Sequence, residues 1–139
     1  MSINSSATSG VTSNASGVIL VSRIFLSILF ILAGYGKLTA IAGTAGWFAS
    51  LGLPAPTATA VLIGLVELLG GLAVLVGFKT RIAAIVLAIF TLGATAVAHL
   101  DFSQELNPLM LQKNLAITGG LLLLALIGAG AYSIDGRRG

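Results

Sequence analysis

The chain contains no cysteine, and only 8% of its 139 residues are charged. Without thiols there is no disulfide scaffold, no thiol relay, no cysteine-ligated metal and no CxxC redox chemistry. The single histidine cannot supply both axial ligands of a bis-histidine haem, so a cytochrome b would need a second chain or a mixed ligand set. No metal site is expected. Soluble domains carry about 25% charged residues, so the low charge also excludes an ordinary water-soluble fold. Proline is confined to Pro54, Pro56 and Pro108, all of them between long apolar runs.

What is present is apolar: 57% of residues are hydrophobic, and the mean hydropathy is +1.08. Four runs, residues 18–38, 57–78, 81–99 and 109–130, are each long enough to cross a hydrocarbon core of roughly 30 Å. Ala, Leu, Ile and Gly dominate, and no run shows the alternation of a barrel strand. The expected fold is all-α: an integral membrane four-helix bundle over residues 18–131 in contact with the lipid bilayer. Residues 1–17, rich in Ser, Thr, Asn and Gly and lacking a basic start, predict a disordered polar tail before a retained first helix. Residues 132–139 form a short basic tail.

An even number of spans puts both termini on one side. Arg23, Lys79, Arg81, Arg137 and Arg138 lie on that side and Lys37 and Lys113 on the other, so the positive-inside rule predicts cytoplasmic termini. The first outer connection, residues 39–56, carries Ile41, Ala45, Phe48 and Leu51 at near-helical spacing beside Trp47. It predicts a short interfacial helix, either a simple aromatic anchor or a lid over the outer mouth of the bundle.

The polar residues inside the spans are few, and each has two readings. Glu67 sits mid-span with about ten uncharged residues on either side, and shares a face with Gly64 and Gly71, where small residues let a neighbouring helix approach. It is expected to face protein, as part of a structural ion pair or as a titrating group that binds a proton, a cation or a quinone-like ligand. Arg23 and Lys37 are two heptads apart on one face of the first span. Each either snorkels to its nearer headgroups or pairs with Glu67.

On the third span Thr91, Thr95 and His99 follow at i, i+4 and i+8, either bonded back to their own helix or lining a cavity. His99, with Asp101 and Glu105 beyond it, is either a surface proton port or a solvated helix end. Asn107 reads as the N-cap of the fourth span with Pro108 at its first position. Asn114 and Thr118 share a face there, next to Lys113. Polar groups from three spans thus converge above Glu67, as a small internal site requires.

Arg23 with the following Phe-Leu-Ser-Ile-Leu-Phe-Ile-Leu-Ala-Gly-Tyr-Gly-Lys37-Leu, then Leu51-Gly-Leu-Pro54, Glu67-Leu-Leu-Gly-Gly71, Leu75-Val-Gly-Phe-Lys-Thr-Arg81, His99, Lys113-Asn114 and Asp135-Gly-Arg-Arg, resembles the DoxX family of small four-helix bacterial inner-membrane proteins. The resemblance runs from about Arg23 to Arg138. It implies the bacterial inner membrane as location and an oxidoreductase subunit as activity, because members occur as membrane subunits of a thiosulfate:quinone oxidoreductase and others are tied to thiol and oxidative-stress complexes. This chain resembles the short, single-module branch and has no redox-active residue, so a quinone or a redox partner subunit would have to supply the redox centre.

Three functions therefore compete. The first is the membrane subunit of a quinone- or sulfur-linked redox system, with Glu67, His99, Lys113 and Asn114 around a head group and Lys37 or Arg23 as counter-charge. The second is a non-catalytic anchor that recruits a partner, and the third a small proton-coupled transporter using Glu67. No intrinsic cofactor and no nucleic-acid partner are expected; a homo-oligomer is compatible with all three.

Overall fold

The computed structural model describes residues 5–138, with side chains from Asn14 to Arg137. Its helices are α1 (Ser5–Thr39), α2 (Ile41–Ser50), α3 (Pro56–Val76), α4 (Thr80–Ala98), α5 (Asn107–Ile127) and the single turn α6 (Ile134–Arg138). Four are long and apolar enough to cross a membrane: Asn14–Thr39 within α1, then α3, α4 and α5. Their outer faces present Phe25, Leu32, Ile89 and Leu126, all well exposed, as expected where acyl chains are the solvent. Of the expected polar tail, residues 1–4 lie outside the described residues, and residues 5–17 continue α1 as helix. No proline or charge interrupts that stretch.

The bundle is built from two tightly packed pairs. α1 lies along α3, and α4 along α5, while the contact between α1 and α5 is slight. Glycine sets the first pair: a Cβ on Gly34 would lie 2.5 Å from the Leu68 nitrogen and 2.7 Å from the Gly64 carbonyl oxygen, so the two backbones touch. Between the pairs, Phe30, Val74, Ala84, Leu87, Leu121 and Leu124 close the half of the bundle nearer the termini. In the other half α2 covers α3, with Ala45 and Phe48 buried against Ala60 and supported by Leu51, Leu53 and Ile63. The predicted interfacial helix is therefore present and docked on the bundle.

Arg23 behaves differently from both of its sequence readings. It is 1% exposed, so it does not snorkel, and it does not reach Glu67. Its Nε donates to the Val74 carbonyl at 2.9 Å and its Nη2 to that of Leu75 at 2.7 Å, while Nη1 donates to the carbonyls of Ala129 and Tyr132, both at 2.9 Å. The last turn of α3 leaves carbonyls without intrahelical partners, and a planar five-donor guanidinium satisfies several of them together. Gly77 ends α3 at φ 71° and packs directly on the Ser133 Cβ and the Arg23 guanidinium. Only glycine suits that turn.

The neighbouring helix ends are closed in the same way. Arg81 donates to the Leu126 carbonyl at 2.6 Å at the end of α5. Asp135 accepts the backbone N–H groups of Lys79 at 2.7 Å and Thr80 at 2.8 Å, and so caps α4 from the far end of the chain. At the opposite membrane face Asn107 is the first helical residue of α5, and Leu106 occupies the N-cap. The expected capping role of Asn107 is corrected: the turn from Asp101 to Leu106 folds under it, and its Nδ2 donates to the Asp101 carbonyl at 2.8 Å.

Candidate functional site

Because the helix pairs pack closely only near the termini, the opposite half of the bundle encloses a cavity of about 420 Å³. Glu67 from α3 and Lys37 from α1 meet there, Nζ to Oε1 at 2.8 Å, with side chains 4% and 21% exposed respectively. The pair follows from the glycine crossing, since Gly34 and Gly64 bring Lys37, one turn further along α1, over the carboxylate. Lys37 is thus the partner of Glu67. A lysine ammonium carries three donors, and only one contacts Glu67.

The α4 stripe is partly self-satisfied. Thr91 and Thr95 donate to the carbonyls of Leu87 and Thr91, each at 2.7 Å, and Thr118 on α5 donates likewise to Asn114. Thr95 Oγ1 also accepts from Asn114 Nδ2 at 2.8 Å, which ties α4 to α5 in the buried interior. Thr91 and Asn114 line the cavity.

His99 ends α4 at the cavity rim, with Nδ1 3.1 Å from Asn107 Oδ1. Since the Asn107 amide nitrogen is spent on the Asp101 carbonyl, Asn107 Oδ1 accepts and His99 Nδ1 is the donor. Nε2 is then the ring nitrogen left for a ligand. Asp101 lies outside the cavity on the exposed turn; hydrogen bonds from the Ser103 hydroxyl at 2.6 Å and the Ser103 N–H at 3.1 Å hold its carboxyl below the ordinary aspartate value.

Lys37, Glu67, His99, Lys113 and Asn114 therefore surround one chamber, and Arg23 lies away from it among helix ends at the other membrane face. The remaining wall is apolar and aromatic, with Phe30, Trp47, Phe48 and Phe90 among the lining. Phe90 was missed in the sequence. Its signal was the turn-by-turn series Phe90, Ala94, Val97 running beside the threonine stripe. Among the described residues no cluster of three metal-ligating side chains occurs. Chemically the arrangement is an aromatic-walled chamber with an ion pair at depth and polar side chains at its rim. It suits a largely apolar molecule with a few polar oxygens.

The comparisons with known proteins agree with this architecture. A family model described as DoxX matches residues 18–100. The chain is 49% identical over 117 residues to "Inner membrane protein YqjF" of Escherichia coli K12, covering 84% of this chain and 88% of that relative. It is 34% identical over 125 residues to "Inner membrane protein YphA" of the same organism, covering 86% and 89%. A third relative, "Putative oxidoreductase CatD" of Bacillus subtilis, is 33% identical over 110 residues, covering 75% of this chain and 81% of the relative. No solved structure gives a significant match.

Proposed function

The chain belongs to the DoxX family of multi-pass inner-membrane proteins, and from that premise we propose that it is the membrane subunit of a redox system that holds a quinone-type head group in the chamber beside Lys37 and Glu67. The observation that carries this reading is the lining itself: four aromatic side chains around a volume of about 420 Å³, within the range of small-molecule sites. A planar ring fits such walls. The name of the B. subtilis relative, an oxidoreductase, points the same way.

The residues present suit such a group. Lys37 keeps donors beyond its contact with Glu67, which match a carbonyl oxygen, and His99 Nε2 is left for a second polar group of the ligand. A quinone supplies two-electron, two-proton chemistry when bound. Glu67 holds the Lys37 side chain at depth through their 2.8 Å contact, and most of the remaining wall is apolar. With no thiol in the chain, electrons would arrive from a redox partner subunit.

The basic residues near the chain ends support cytoplasmic termini by the positive-inside rule. The chamber then lies in the outer half of the membrane. A second reading, a non-catalytic anchor, is favoured by the close Lys37–Glu67 contact, which satisfies the buried carboxylate within the protein.

Quinone analysis of lipid extracts from protein purified in mild detergent tests the proposal. About one quinone per chain is expected, with the content reduced in Lys37→Met and His99→Ala. Absence of co-purified quinone, together with no saturable binding of an added decyl-tailed benzoquinone, would defeat it.

A further inference from the structure

Most of the chamber wall is buried or half-buried, but Trp47, Gly93, Val97 and the polar Lys113 line it while also lying exposed on the outside of the bundle. Trp47 is 46% and Val97 50% exposed. Gly93 and Val97 are one turn apart on α4, so they form one strip of its surface. A Cβ at Gly93 would meet nothing within 4 Å. The wall is therefore open there, and α2, which docks on α3, brings the exposed Trp47 to the same lining.

The depth of this opening decides what can use it. Gly93 is five residues before the end of α4, about 7.5 Å inward at 1.5 Å per residue, so the gap faces acyl chains and not water. A hydrated, water-soluble ligand has no reason to pass through lipid to reach it. A lipid-dissolved one is already there. The chamber volume of about 420 Å³ accommodates a head group but not the whole of a long-chain lipid.

We propose that the strip at Gly93 and Val97 is a lateral doorway through which a membrane-dissolved amphiphile enters head first, leaving its single long tail in the bilayer through the open wall. This rests on the quinone-type reading of the chamber and narrows it to tailed ligands. The polar end lies towards Lys37 and His99; the tail crosses the α4 surface where a side chain is missing. Gly93 is then a specificity residue for the tail.

Gly93→Leu fills the doorway, and the open space around that position leaves the packing intact. Gly119→Leu on α5 is the matched control, because a Cβ there would also meet nothing within 4 Å and the residue lies outside the chamber lining. Trp47 is the only tryptophan, so its quenching by quinone reports occupancy. Protein in phospholipid nanodiscs is titrated with a decyl-tailed benzoquinone and with the same ring lacking the tail. Saturable quenching is expected in the parent protein. For Gly93→Leu the half-saturating concentration of the tailed compound rises roughly tenfold or more, the scale of a lost apolar contact, and that of the tail-less ring changes far less. Gly119→Leu matches the parent with both.

Equal weakening of both compounds by Gly93→Leu would overturn the doorway, since the leucine would merely occupy the head-group site. Unchanged binding of the tailed compound would overturn it too. In both cases the chamber reading stands. No saturable quenching in the parent protein would overturn the chamber reading and the doorway together.

Discussion

Lys37 Nζ and Glu67 Oε1 are 2.8 Å apart, joining the end of α1 to the middle of α3 at membrane depth. Removing one partner leaves a buried charge uncompensated. Lys37→Met should therefore destabilise the fold by about 3–5 kcal/mol, whereas the double variant Lys37→Met/Glu67→Leu recovers most of that loss. Unfolding in mixed detergent micelles, run as a double-mutant cycle, checks both. A double variant whose loss equals the sum of the losses in Lys37→Met and Glu67→Leu would show that the pair adds nothing to the fold.

Gly34 and Gly36 lie on the same helix, but only one is needed. A methyl at Gly34 meets the backbone of Leu68 and Gly64, whereas a methyl at Gly36 would have nothing within 4 Å. Gly34→Ala should cost about 1–3 kcal/mol or more, because backbone atoms cannot move aside as a side-chain tip can. Gly36→Ala should be neutral or stabilising by up to about 1 kcal/mol. Thermal unfolding midpoints of the two variants separate these outcomes.

Arg23 holds four carbonyls from the end of α3 and the segment after α5. Lysine has one nitrogen and cannot span them, so Arg23→Lys should cost about 3 kcal/mol or more while leaving quinone binding by the folded fraction unchanged. Unfolding curves combined with Trp47 quenching separate the two effects. A loss of binding without a loss of stability would place Arg23 in the site after all.

Asp101 should titrate below an ordinary aspartate, because Ser103 donates two hydrogen bonds to its charged form. A carboxyl whose folded pKa is depressed adds stability above its unfolded pKa and loses it as pH falls through the folded value. The turn before α5 should therefore loosen only in acid. Carbon NMR of the Asp101 carboxyl should show its midpoint rising in Ser103→Ala.

Much of this architecture was legible in the chain. Uninterrupted apolar runs set the spans, the loop prolines marked their limits, and the spacing around Trp47 announced α2. Depth came from counting residues, so the convergence of Lys37, Glu67, His99, Lys113 and Asn114 was foreseeable. Rotation was not, since a helix that is apolar on most faces carries no strong signal for which side looks inward. That is why the sequence leaves the partner of Glu67 open, and the Gly34 crossing decides it.

Arg23 and Asp135 were opaque for another reason. Their partners are backbone groups at helix ends and in the segment after α5, 51 to 109 residues away along the chain for Arg23 and 55 to 56 for Asp135. One hint existed: no Ser, Thr, Asp or Asn stands at the N-cap before Thr80, where Lys79 takes a left-handed conformation at φ 45°, so a capping acceptor had to come from elsewhere.

Both the redox role and the doorway depend on the chamber holding the ring of a quinone-type molecule. Photoaffinity labelling addresses this directly, with an azido-benzoquinone bearing a decyl tail, protein in nanodiscs, and peptide mapping by mass spectrometry. Labels confined to the chamber-lining segments 29–37, 47–53, 63–67, 90–99 and 113–114, and removed by excess unlabelled quinone, are predicted. Labels spread over the lipid-facing residues Phe25 and Leu126, undiminished by competitor, would contradict it.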